Sequence, residues 1–151
     1  MTFILLVSIC ATGWSQNINV SIEQDLCFGD FYLSGSTGSG TVTVSNSGEW
    51  SSTGNIHQLR SNQQPAVFNI STESQTPVHV GAEILTGSLT NPNGNAISLD
   101  PEDSRIKFYT VQRGHPVRIF IGGSLKITPA TKYHQGDYKG SISITVTIYN
   151  E

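Results

Sequence analysis

The sequence predicts an all-β, antiparallel fold, and three observations carry that prediction. The first is composition: of 151 residues, 40 are Ile, Val or Thr, and only 24 are Ala, Leu, Glu or Lys. β-Branched side chains lose χ1 freedom in a helix but pack well on a pleated surface, so the ratio favours strands. The second is periodicity, with apolar and polar residues alternating in short runs and no window of convincing helical period. The third is punctuation, since Gly, Asn and Pro turn formers separate these runs throughout.

The elements follow in order. Ile18, Val20 and Ile22 alternate with Asn19, Ser21 and Glu23. Leu26, Phe28, Phe31 and Leu33 form a second segment, interrupted by a bulge or bend at Gly29-Asp30. A Gly/Ser/Thr loop over 35–40 precedes a short strand over 41–44, which ends at the turn Asn46-Ser-Gly48. The pattern from Trp50 to Leu59 is weaker and holds a turn at Gly54-Asn55. Two further strands span 66–70 and 78–84.

Residues 87–95, with Asn91-Pro-Asn-Gly94, predict a turn or loop. Ile97 and Leu99 then lead into an acidic loop over 100–103. Strands follow over 105–111 and 117–121, then a bend at Gly122-Gly123, with Leu125 and Ile127 continuing toward Pro129. The last segment is the clearest: Ile142, Ile144, Val146 and Ile148 face one way, and Ser, Thr and Tyr149 face the other. One buried and one wet face is the mark of an antiparallel sheet.

Eight or nine such strands, spaced by roughly 8–15 residues, predict a single immunoglobulin-like antiparallel β-sandwich with Greek-key connections. An up-and-down barrel is the alternative. No internal repeat or linker divides the chain, so residues 16–151 read as one domain.

Charge and hydropathy exclude several partners. With 8 Lys and Arg against 11 Asp and Glu, the net charge is −3, which gives no electrostatic footprint for nucleic acid. No apolar stretch approaches the roughly 20 residues that span a bilayer. The chain is 36% hydrophobic, too apolar for a disordered tail.

Residues 1–15 read as a signal peptide. Phe3 to Ile9 is an apolar run, and Gly13 and Ser15 are the small residues that a cleavage before Gln16 requires. Ile9 stands where a lipobox wants Gly or Ala, so Cys10 is not read as a lipidation site. Cleavage there would leave Cys27 alone, unable to form an internal disulfide and flanked by Leu26 and Phe28 as a small buried hydrophobe. The expected location is secreted, periplasmic or at the outer cell surface.

No catalytic constellation is visible, and the expectation is no enzyme and no cofactor. His57, His79, His115 and His134 are scattered without metal-ligand spacing. Gly122-Gly-Ser-Leu-Lys126 lacks both the phosphate-loop spacing and a following helix, so it reads as a strand bend. Asp100, Glu102 and Asp103 lack the alternating ligands and turn glycine of a calcium loop and read as a solvated acidic loop. No Gly-x-Ser-x-Gly elbow is present.

Five segments, in order, resemble a bacterial family numbered 4402 among domains of unknown function. They are Leu26-Cys-Phe-Gly29, then Gly40-Thr-Val-Thr-Val44 with Ser51 to Gly54, and Ala66-Val-Phe-Asn-Ile-Ser71. Ile121-Gly-Gly-Ser-Leu125 and Gly136-Asp-Tyr-Lys-Gly140 with Ile144 to Tyr149 complete the set. The Trp-Ser-Gln16 ending of the leader also resembles secreted proteins of Bacteroidota. The family resemblance implies a secreted domain without assigned activity, similar in architecture to spore-coat-U-like proteins and chaperone–usher pilins.

Two functions follow as expectations. The first is a fimbrial-like structural subunit or adhesion component, in which Ile18, Val20 and Ile22 form a strand-exchange segment for self-assembly or other surface subunits. The alternative is an extracellular module binding a glycan or other ligand, with Tyr32, Trp50, Tyr109 and Tyr133 as candidate stacking faces.

Overall fold

A computed structural model describes residues 17–35, 39–85, 87–103, 105–128 and 136–149. The expected signal peptide, Cys10, Tyr133 and His134 lie outside the described residues. The first strands are β1 (Ile18–Gln24), β2 (Asp30–Leu33), β3 (Gly40–Val44), β4 (Trp50–Gly54), β5 (Ile56–Arg60), β6 (Ala66–Thr72) and β7 (Val78–Leu85). The chain continues through β8 (Gly87–Thr90), β9 (Ala96–Pro101), β10 (Lys107–Val111), β11 (Val117–Ile121), β12 (Gly123–Ile127), β13 (Lys139–Gly140) and β14 (Ser143–Tyr149). The fold is all-β, and every named strand pairing is antiparallel.

A six-stranded sheet has the order β13-β8-β9-β12-β3-β4. Two three-stranded sheets, β1-β6-β11 and β10-β7-β14, approach each other where β10 nears β6 and β11. A short ribbon, β2-β5, completes the set. One apolar cluster joins Val42, Leu89, Leu99 and Leu125 of the large sheet with Phe68, Ile70, Val80 and Ile144 of the small ones. The arrangement is sandwich-like, with the dry faces of the alternating strands turned to this shared cluster.

Strand directions decide how the outer edges are presented. β1, β6 and β11 alternate in direction, as do β10, β7 and β14. The turn closed by the antiparallel bridge Gln112–His115 reverses the chain between β10 and β11. Taken across both small sheets, β1 and β14 therefore run in opposite senses.

The structure departs from the sequence reading in several places. Among the described residues there are fourteen strands rather than eight or nine. The expected turn at Gly54-Asn55 and bend at Gly122 are present, and at each the chain passes from a strand of one sheet to a strand of another. Gly122 is forced to be glycine, because a Cβ there would collide with the Val44 carbonyl oxygen. Residues 87–90 form β8 and not a loop, pairing with β9 across the Asn91–Asn95 turn.

Asp100 lies inside β9 opposite Ser124, so the acidic loop begins later than expected. Asn91 explains the tight hairpin: its Oδ1 accepts the backbone amides of Asn93 and Asn95 at 3.1 and 2.9 Å. Cys27 is half-buried, held in a bridge with Gln64, while its neighbours Leu26 and Phe28 take the core positions.

Candidate interaction surface

The segment read as a strand-exchange element is β1, and it is paired within its own sheet. Ile18, Val20 and Ile22 lie opposite Thr72, Ile70 and Phe68 of β6. Ile18 and Val20 are half-buried against the core, whereas Ile22 is 40% exposed. This gradient follows from position: β1 is the edge strand, so its core-facing side chains are covered on one flank only. A register irregularity between Ile22 and Gln24 sets Glu23 outside the pairing. There its carboxylate accepts hydrogen bonds from Arg118 at 2.7 Å and from Asn69 Nδ2 at 2.9 Å. Arg118 also lies over the Phe120 ring, 5.2 Å from its centroid.

β14 closes the other small sheet, pairing with β7 without interruption from Ser143 opposite Leu85 to Tyr149 opposite His79. Its sequence, Ser-Ile-Thr-Val-Thr-Ile-Tyr, has no charge and no proline. Ile144 and Val146 face the core and are buried, and Ile148 is half-buried. Among the described residues, nothing pairs with its outer edge.

The outer face of the same sheet carries an aromatic patch. Phe108 of β10 is 70% exposed, and its ring meets Tyr149 edge-on at a centroid distance of 5.3 Å. The pair closes over Gly81 of β7, where a Cβ would stand 2.7 Å from Tyr149 Cε2 and 3.2 Å from Ile106 Cγ2. The missing side chain is the groove in which Tyr149 and Ile106 lie. His79 borders the patch, with its Nδ1 3.1 Å from Thr110 Oγ1.

The aromatic residues nominated from sequence fare unevenly. Tyr32 is exposed and stacks at a tilt on His57 with centroids 5.1 Å apart, and His57 Nε2 lies 3.1 Å from Ser34 Oγ. Trp50 and Tyr109 are instead half-buried against the core. Burial raises the Tyr109 phenol above its usual pKa. Phe108 and Tyr149 were not nominated. The signal for Phe108 was β10 itself: in Lys-Phe-Tyr-Thr-Val an aromatic falls on each face, so one of the two turns away from the core.

The acidic residues act as braces. Glu102 Oε2 accepts the Asn46 amide at 2.6 Å, tying the loop after β9 to the β3–β4 turn. Asp103 pairs with Lys107 at 3.1 Å and Arg105 at 3.3 Å, and the Lys107 hydrogen bond leads in lowering its pKa to about 2. Among the described residues, no three His, Cys, Asp or Glu side chains gather to hold a metal. No helix among them is long and apolar enough to cross a membrane.

Open strand edges, an exposed aromatic pair and ionic braces are the prominent surface features of this all-β domain. Residues 18–148 match the family described as domain of unknown function DUF4402, and the chain belongs to that family. No curated protein matches the chain.

Proposed function

We propose that this domain is a non-catalytic structural or adhesive subunit, secreted or displayed at a cell surface, on an immunoglobulin-like sandwich of fimbrial type. The carrying observation is the pair of strands β1 and β14, each with a row of backbone groups on an outer edge that no described strand satisfies. Such a row is the chemistry through which one sheet recruits a strand of another chain. The apolar run over 3–9 and the small residues before Gln16 support secretion.

Sedimentation velocity from micromolar to millimolar protein tests the assembly reading. Mass that grows with concentration is the expected result, and a monomer throughout would overturn it.

A second reading, a glycan- or ligand-binding module, is favoured by the exposed Phe108–Tyr149 pair. Aromatic faces of this kind stack on the apolar faces of sugar rings. Glycan-array binding by the parent chain, lost in Phe108→Ala, is its expected signature. Equal signals from both proteins would dispose of it.

A further inference from the structure

We infer that β14 is the acceptor edge for β1 of a second copy, with β1 remaining in its own sheet, so that copies add head to tail. The inference rests on the assembly reading above and specifies its geometry. Three observations carry it.

The first is direction. β1 and β14 run in opposite senses across the two small sheets, so β1 of a second copy placed beside β14 continues the antiparallel alternation.

The second is pattern. Each strand has seven residues, with core-facing apolar side chains at alternate positions. Setting Ile18 opposite Ile148 of the other copy places Val20 opposite Val146 and Ile22 opposite Ile144. Asn19, Ser21 and Glu23 then meet Thr147, Thr145 and Ser143 on the wet face. A slip of one residue would turn every apolar side chain outward, so the register is specified in steps of two. The half-buried Ile18, Val20 and Ile148, and the exposed Ile22, are the side chains that such a contact would cover.

The third is charge. β14 has none, and the single charge of β1, Glu23, is already matched by Arg118. In this register the exposed Asp25, just beyond β1, falls opposite Ser141 of the other copy, two residues from the exposed Lys139 of β13. Opposite charges at that corner favour this orientation over its reverse. The surface used by each copy differs from the one it presents to the next, so the contact is heterologous and propagates without closing unless the rotation forms a ring.

The test mixes an Asn19→Cys chain with a Thr147→Cys chain under mild oxidation. The parent chain and a mixture of Asn19→Cys with Thr53→Cys on β4 serve as controls for Cys27 and for random collision. A disulfide-linked pair selective for the first mixture is the expected result. In parallel, Thr147→Lys places a charge on the exposed face of the edge strand and should weaken assembly by at least about tenfold, with the melting transition of the monomer retained. If the chain assembles but neither effect appears, the edge pairing is wrong and the assembly reading stands. A monomer at every concentration overturns both.

Discussion

β1 and β14 have the same length and each closes one margin of a three-stranded sheet, yet they are guarded differently. β1 carries a charge, interrupts its register at Gln24 and tethers Glu23 to Arg118 and Asn69. β14 carries no charge, no proline and no irregularity along its pairing with β7. Soluble β proteins blunt their edges with charges and bulges because an open edge recruits strands indiscriminately. By that criterion β14 is the edge left open. β1 is the guarded edge, with its register irregularity and its tethered acidic end limiting what could pair along it.

The greatest losses should come from how deeply each strand is anchored. Ile144 is fully buried, and Ile144→Ala should cost about 2–5 kcal/mol by urea unfolding of the monomer. Ile18 is half-buried at the opposite margin, and Ile18→Ala should cost about 1 kcal/mol, since one flank was never covered. Equal losses would mean that β1 is as integral to the core as β14. The contrast drawn between them would then fail.

Gly81→Val comes next and probes the outer face beside β14. The new Cβ would press on Tyr149 and Ile106, and overpacking of this kind costs about 1–3 kcal/mol. Truncating the ring with Tyr149→Ala should relieve the added clash. In a double-mutant cycle the two changes should couple by about 1 kcal/mol. Additive losses would show that Tyr149 does not rest on β7.

These residues also show how much was legible in sequence. β14 was legible because Ile142 through Ile148 alternate without interruption and every core-facing position is β-branched. β8 and β13 were not, because Gly87-Ser-Leu-Thr90 and Lys139-Gly140 are turn-forming in composition and become strands only by pairing with neighbours. Their backbone hydrogen bonds are tertiary, and propensity is a weak guide there. The apolar alternation of β1 was legible, but not its place at an edge, since a strand's neighbours are set by topology. For the same reason the Phe108–Tyr149 patch was hidden: its members are far apart in sequence and meet only across Gly81.

A smaller effect separates the charged margin from the uncharged one. Glu23→Gln removes the carboxylate held by Arg118 at 2.7 Å on a partly exposed surface, which should cost about 0.5–1 kcal/mol. The loss should shrink in high salt, as screened pairs do. No salt dependence is expected from any substitution confined to β14, where no charge is present. Unfolding midpoints at low and high ionic strength, compared for Glu23→Gln and Thr145→Val, test this directly.

The weakest effect lies two strands from β14, on β10, which flanks β7 on the side away from β14. Asp103 stands just before β10 and is bonded to Lys107 and Arg105, with its carboxyl pKa lowered from 3.8 to about 2. A folded-state value below the unfolded one means that the folded chain binds the proton less readily. The contribution to stability is therefore fully present above about 3.8 and is lost as pH falls through about 2. The carboxylate remains in contact with solvent, so the change in melting temperature across that window should be small, and Asp103→Asn should abolish this component of it. Carbon-detected NMR titration of the Asp103 carboxyl should place its midpoint near 2. A midpoint near the ordinary 3.8 would mean that Lys107 does not hold it, leaving β10 unbraced where the chain approaches it.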